Sequence, residues 1–192
     1  MSDENDFFEL FSQYRSYYRN RQERNNYKII LFDLDGVLAD LTHRLHYVTP
    51  EDEFNASYYG FKPDWAAFFR ETKKDTPIWP WINLCRTLHE QYYRIYIITG
   101  RSEETRIDTF EWLSTYTIPC DFVFMRPAKN YEPDYIIKEK ILKEIITTET
   151  KERILFAIDD HLPNIEIYKK YYIPTLYVPF KEYNYTYINE VK

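Results

Sequence analysis

Apolar residues fall in short, nearly continuous runs separated by longer stretches of helical periodicity. Lys28–Phe32 (KIILF), Ile95–Ile98, Phe122–Phe124, Ile154–Ile158 and Leu176–Val178 are the short runs, and each suits a strand buried on both faces. Helical patterns occupy the intervals. Pro77–Gln91 leads into the second run, and Glu103–Tyr116 follows Ser102, an expected N-cap with Glu103 and Glu104 in the first turn. Asp134–Thr147 places Ile136, Ile137, Ile141, Ile145 and Ile146 along a helix, and Pro163 opens another through Tyr171. Strands alternating with helices predict an α/β fold: a central parallel sheet covered on both faces.

Two regions break this rhythm. Residues 1–27 bring Phe7, Phe8, Leu10, Phe11, Tyr14, Tyr17 and Tyr18 near helical spacing, followed by Arg15, Arg19, Arg21 and Arg24. They read as an N-terminal helical extension, either docking its aromatic face on the domain or meeting a partner or nucleic acid through its arginines. Residues 41–76 hold His43, Arg44, His46, Tyr58, Tyr59, Trp65, Phe68 and Phe69, with Asp64 placed to cap a short helix. They read as a small cap-like insertion after the first strand. The main domain then spans 28–180, and a polar, aromatic tail follows at 181–192.

Composition narrows the classes. The chain's 192 residues suffice for one α/β domain with a proper core. Its 19% aromatic share and only 3 glycines argue against a disordered chain. A net charge of −6 gives no general attraction for a nucleic-acid backbone, so no stable nucleic-acid binding is expected and any contact must be local. No apolar run reaches the ~20 residues of a membrane span, and the N-terminus shows no basic-then-apolar leader. Cys85 and Cys120 lack metal-ligand spacing and read as free thiols in a reducing compartment. A soluble, cytoplasmic protein is expected. Scarce Gly and Ala with abundant Ile, Tyr, Asn and Lys suit an A+T-rich genome, such as a viral one.

Three of the expected strands end in groups suited to phosphate chemistry. The first ends in Asp33-Leu34-Asp35-Gly36, the second in Thr99-Gly100-Arg101, the fourth in Asp159-Asp160. Open parallel sheets bind ligands at the carboxyl ends of their strands, so the three should meet in one crevice. Asp33, Asp35, Asp159 and Asp160 cannot all stay ionised together without a cation. Carboxylate oxygens with no His or Cys among them suit Mg²⁺ rather than zinc. Asp33 then suits nucleophilic attack on phosphorus, and Asp35, on the same side of an extended backbone, suits general acid–base work. Gly36 permits the turn beneath the site. Thr99, Gly100 and Arg101 can meet phosphate oxygens, aided by the helix beginning near Ser102. Lys138 is the candidate cation opposite the developing charge, oriented by Asp134 one turn earlier. His43, His46 and His161 lie near these motifs, where a structural role is expected of them.

The segments D-x-D-G-V-L at Asp33–Leu38, T-G-R at Thr99–Arg101, a later lysine and D-D at Asp159–Asp160 resemble, in this order, the haloacid-dehalogenase (HAD) superfamily. Within it the chain is similar to the 3′-phosphatase domain of phage polynucleotide kinase, through D-L-x-H-R-L-H at Asp40–His46, M-R-P at Met125–Pro127, D-x-x-x-K at Asp134–Lys138 and A-I-D-D at Ala157–Asp160. The resemblance implies a three-layer Rossmann-like core and an aspartyl-phosphate mechanism. It implies Asp33 as nucleophile, Asp35 as general acid/base, and Asp159 with Asp160 around the Mg²⁺ that the four-acid cluster of Asp33, Asp35, Asp159 and Asp160 calls for. Thr99 and Lys138 would hold the phosphate, with Arg44, Arg101 and, by a looser match, Arg126 near substrate, and Asp134 in support. Gly36, Gly60 and Gly100 cannot build a P-loop, so no kinase activity is expected. The expected substrate is a phosphorylated small molecule, chiefly a nucleotide, or the 3′-phosphate end of a nucleic acid. Aromatics in 41–81 would stack the base or simply pack the cap. The alternatives are a phosphatase or phosphomutase for another small metabolite, and a non-catalytic module that keeps the fold.

Overall fold

The computed structural model describes residues 27–49 and 61–179. The expected extension over 1–27, apart from Tyr27, and the tail 181–192 lie outside the described residues, as do residues 50–60 of the expected insertion.

The apolar run that opens the domain forms β1 (Ile29–Phe32), every residue of which is buried. Its side chains alternate between two cores. Ile30 and Phe32 face one cluster with Ile95, Ile97, Ile82 and Trp112, while Ile29 and Leu31 face another with Ile98, Ile141 and Ile145. A strand apolar on both sides thereby becomes the central plank of a three-layer fold. The other long strands are β4 (Arg94–Ser102), β5 (Phe122–Arg126), β6 (Ile154–Asp159) and the short β7 (Thr175–Tyr177). All pair in parallel in the order β5-β4-β1-β6-β7. One face carries α2 (Trp79–Glu90) and α3 (Arg106–Thr115), the other α4 (Asp134–Glu149) and α5 (Leu162–Lys170). The order reverses direction between β1 and β6, and such a switch point opens a crevice beyond the strand ends.

The insertion begins and ends at a separate two-stranded sheet. Strand β2 (Ala39–Asp40) pairs antiparallel with β3 (Thr76–Pro77), so the intervening chain returns to where it left. Within it, Thr42–Tyr47 forms 3₁₀ turns and α1 (Trp65–Arg70) starts at Asp64, whose carboxylate accepts from the Ala67 amide at 2.8 Å. Leu41, Leu45, Val48 and Phe68 pack as a small separate core. Trp65, Phe68 and Phe69 lie ring against ring, which places these aromatics mainly in packing.

One boundary differs from expectation in a way that matters for the site. Strand β4 does not stop at Ile98 but continues to Ser102, and α3 starts only at Arg106 after a 3₁₀ turn capped by Ser102. Its pairing with β5 is regular to Ile98–Phe124 and resumes at Ser102–Arg126. Thr99, Gly100 and Arg101 therefore form a bulge, which re-aims side chains at a strand end. The expected helix dipole behind Thr99 is correspondingly displaced by several residues.

Candidate active site

The Asp33 amide donates to Ile158 O at 2.9 Å, so the chain leaves β1 locked to the end of β6. It then turns sharply at Gly36, whose φ of +83° lies in the region that glycine adopts without penalty. These two features bring Asp33 beside Asp159 and Asp160. One oxygen from each of the three buried carboxylates lies within 4.8 Å of the others. Asp160 leans on the turn so closely that a Cβ at Gly36 would meet its carboxylate.

Lys138 projects from α4 into this cluster and is itself fully buried, at 1% exposure. Its ammonium lies 2.7 Å from Asp33 Oδ2, 2.8 Å from Asp159 Oδ2 and 3.5 Å from Asp134 Oδ2. Burial pushes the Asp33 carboxyl well above its ordinary range; Lys138 opposes the rise, while Asp159, Asp160 and Asp134 add to it. Burial works against the charged lysine, but Asp159, Asp33 and Asp134 prevail and hold it charged. One ammonium among four acids leaves an excess of negative charge. Asp159 is saturated as an acceptor: Lys138 and, at 3.4 Å, the Tyr168 hydroxyl donate to Oδ2, and the His161 amide and Asn164 side chain donate to Oδ1.

Asp35, expected beside these acids, is turned elsewhere. The backbone does not stay extended past Asp33, and Asp35 instead accepts from Arg44 at 2.7 Å and from Arg101 at 2.6 and 3.1 Å. It is not part of the three-carboxylate cluster. Burial alone would raise its carboxyl, but Arg101 and Arg44 prevail and hold it down at about 2. Both arginines are fully buried, and both also donate to Asp75, a buried acid that nothing in the motifs signals. Phe68 covers the Arg44 guanidinium at 4.1 Å, so the insertion supplies both a counter-ion and a lid to this arginine pair.

The remaining expected residues divide. Thr99 is buried and accepts from the Arg101 amide at 3.2 Å across the bulge. Gly100 packs against Asp134, where a Cβ would fall 2.4 Å from Oδ1. Arg126, expected near substrate, is engaged by the protein itself: it donates to Gly100 O at 2.9 Å and Glu132 O at 2.5 Å and lies 3.4 Å from Asp134. It fastens the bulge to the loop before α4. The histidines do not join the acids as ligands: His43 reaches Glu71 O and His46 lies against the Tyr47 ring. Cys85 and Cys120 are free, and burial pushes both thiols up to about 12, away from nucleophilic use.

Asp75 and Asn164 are the residues that motif reasoning misses. Asp75 stands at the end of an irregular insertion, with no periodicity to mark it. Asn164 had a faint signal, since it shares a helical face with Tyr168 one turn on, in the helix directly after Asp159-Asp160.

Comparison with known proteins agrees with this architecture. The family described as the polynucleotide kinase PNKP phosphatase domain matches residues 66–183. No curated protein matches the sequence. Among solved structures, a chain of a Pnkp1/Rnl/Hen1 complex superposes with a TM-score of 0.60 at 22% identity, covering 83% of this chain and 49% of that one. This chain thus spans about half the length of that relative. A class C acid phosphatase from Bacillus anthracis with tungstate bound gives 0.57 at 11% identity, covering 93% and 76%. A haloacid dehalogenase-like hydrolase from Streptococcus pneumoniae gives 0.54 at 16%, covering 79% and 84%. At these identities the likeness is one of fold.

Proposed function

The chain belongs to the family of polynucleotide kinase PNKP phosphatase domains, and from that premise we propose that it is a phosphomonoesterase working through a phospho-aspartate on Asp33. The observation that carries this reading is the meeting of Asp33, Asp159 and Asp160 within 4.8 Å, with Lys138 between two of them. Asp33 attacks phosphorus, the bond to the leaving oxygen breaks, and that oxygen takes a proton. Water then attacks the same phosphorus, loses a proton and releases Asp33. Lys138 and the Thr99 hydroxyl stabilise charge on the phosphoryl oxygens.

Asp35 is the proton carrier in this scheme. Its two arginine partners keep it ionised, the form that accepts a proton from the attacking water. It donates in the first half-reaction only once Arg44 and Arg101 shift hydrogen bonds to the incoming phosphate. Among the described residues, each has a buried Nη1 with no hydrogen-bond partner.

The donor set fits a hard divalent cation. Its oxygens are all carboxylate, and Asp159 and Asp160 add to the rise that burial imposes on Asp33. Asp33, Asp159 and Asp160 would hold Mg²⁺ between them. When bound, the cation neutralises the carboxylate and phosphate that must approach each other.

We assign the substrate as a nucleotide or a nucleic-acid 3′-phosphate end, with the described parts of the insertion, residues 41–49 and 61–76, as a small cap beside it. Among the described residues no helix is long and apolar enough to cross a membrane. The free cysteines fit a reducing compartment. Phosphate release from 3′-phosphorylated oligonucleotides, 5′-monophosphates and sugar phosphates, each with Mg²⁺ and with EDTA, tests the assignment. Hydrolysis of 3′-ends that EDTA abolishes and Mg²⁺ restores is expected. A preference for sugar phosphates would overturn the nucleotide reading, and metal-independent turnover would overturn the cation's part.

A further inference from the structure

Asn164 has no part in the scheme above, yet it occupies a particular place in it. It lies in the first turn of α5 and is 1% exposed. Its single amide nitrogen donates to two acids from different elements, Asp159 Oδ1 at 3.0 Å and Asp134 Oδ2 at 3.0 Å. Charge fixes the amide's orientation: turned over, Oδ1 would face two carboxylate oxygens with no hydrogen between them.

These two acids are the ones that, with Asp33, surround the Lys138 ammonium. One cation shared by three anions sits where the balance of their pulls leaves it. Asp33 is steadied by the Leu34 amide at 2.7 Å, and Asp159 by the His161 amide and Tyr168. Asp134 has Arg126 at 3.4 Å, and its shorter contact is Asn164. Removing the amide takes a donor from Asp134 and Asp159 together and throws more of their charge onto Lys138. The ammonium is then drawn toward these two acids, away from Asp33.

We propose that Asn164 is a positioning residue: it holds Asp134 and Asp159 at a set spacing, so that Lys138 is presented to Asp33. This rests on the phosphatase reading of the site. The test compares Asn164→Ala, Asn164→Ser and the isosteric Asn164→Asp in the full chain, on an aryl phosphate, well below each melting temperature. Loss of such a supporting contact typically costs about 10–100-fold. The loss is expected in kcat with KM little changed, since the bulge at Thr99 is untouched. Asn164→Ser should regain part of it, and Asn164→Asp, which sets a third carboxylate against two, should lose at least as much. In an Asp134→Ala background Asn164→Ala should lose most of its effect, because one of its two clients is gone.

Wild-type turnover in Asn164→Ala, or an equal fold-loss with and without Asp134, overturns the proposal. If Asn164→Ala does not fold, Asn164→Ser and Asn164→Asp carry the same comparison. Should the wild type hydrolyse no phosphomonoester, the phosphatase reading itself fails. Asn164 is then judged by Mg²⁺ titration of the melting temperature: a weakened midpoint in Asn164→Ala supports it, an unchanged one overturns it.

Discussion

The carboxylate of Asp160 rests on the backbone of Gly36 at a distance that excludes any side chain, since a Cβ there would lie 2.0 Å from Oδ2. The turn and the acid come from opposite ends of the domain, so the fit is a tertiary device for placing one oxygen next to Asp33. Gly36→Ala should strain a backbone at φ +83° by about 1–2 kcal/mol and push Asp160 out of the cluster. A lower melting temperature and a weaker Mg²⁺ midpoint are expected in a thermal titration. An unchanged midpoint would remove Asp160 from the cation's neighbourhood.

Asp33→Asn should stop turnover without unfolding the domain. Burial and three neighbouring acids raise the Asp33 carboxyl, so ionised Asp33 is a burden on the metal-free fold. The neutral amide should leave the metal-free melting temperature equal or higher while phosphate release disappears. Activity near wild type would eliminate Asp33 as the nucleophile.

Lys138→Met should act in the opposite direction on stability. Asp33 and Asp159 would stay buried without their shared ammonium, and breaking a buried pair costs about 3–5 kcal/mol. Denaturant unfolding at neutral pH should show a loss on that scale. It should shrink at low pH, as the abandoned Asp33 carboxylate takes up a proton, and Mg²⁺ should recover part of it. A loss that ignored both would mean that the lysine matters for packing alone.

The arginine pair around Asp35 predicts a pH signature. With its carboxyl at about 2 in the fold against an ordinary 3.8, Asp35 adds stability that is fully present above pH 4. That share is lost as pH falls from about 4 towards 2, where the folded state also protonates. Asp35→Asn should therefore melt below wild type at pH 6, with the gap closing across the acid window. A gap constant from pH 6 to 2 would show that Asp35 is not held by Arg44 and Arg101 in solution.

Much of this molecule is written locally. Ile29 through Phe32 can only be a doubly buried strand, and its alternation between two cores follows from the period of two. That acids follow β1 and β6 at the switch point follows from the element order alone. Arg126 shows where such reading stops. Its motif resembles a substrate contact, whereas the hydrogen bond that the fold gives it, to Gly100 O carried within reach by the bulge, has no signal in the motif. Asp35 diverged for a similar reason: a turn at Gly36 redirected it to arginines from two other segments.

The amino-acid order alone determined the layers of the fold and the chemical inventory at the strand ends, because burial periodicity and turn chemistry act over a few residues. Which acid faces which cation was decided only in three dimensions. Asp33 finds Lys138, Asp35 finds Arg44 and Arg101, and Asn164 finds two carboxylates because packing of the sheet and helices sets distances of about 3 Å between groups remote in the chain. Burial periodicity and turn chemistry, which act over a few residues, do not encode contacts of that range.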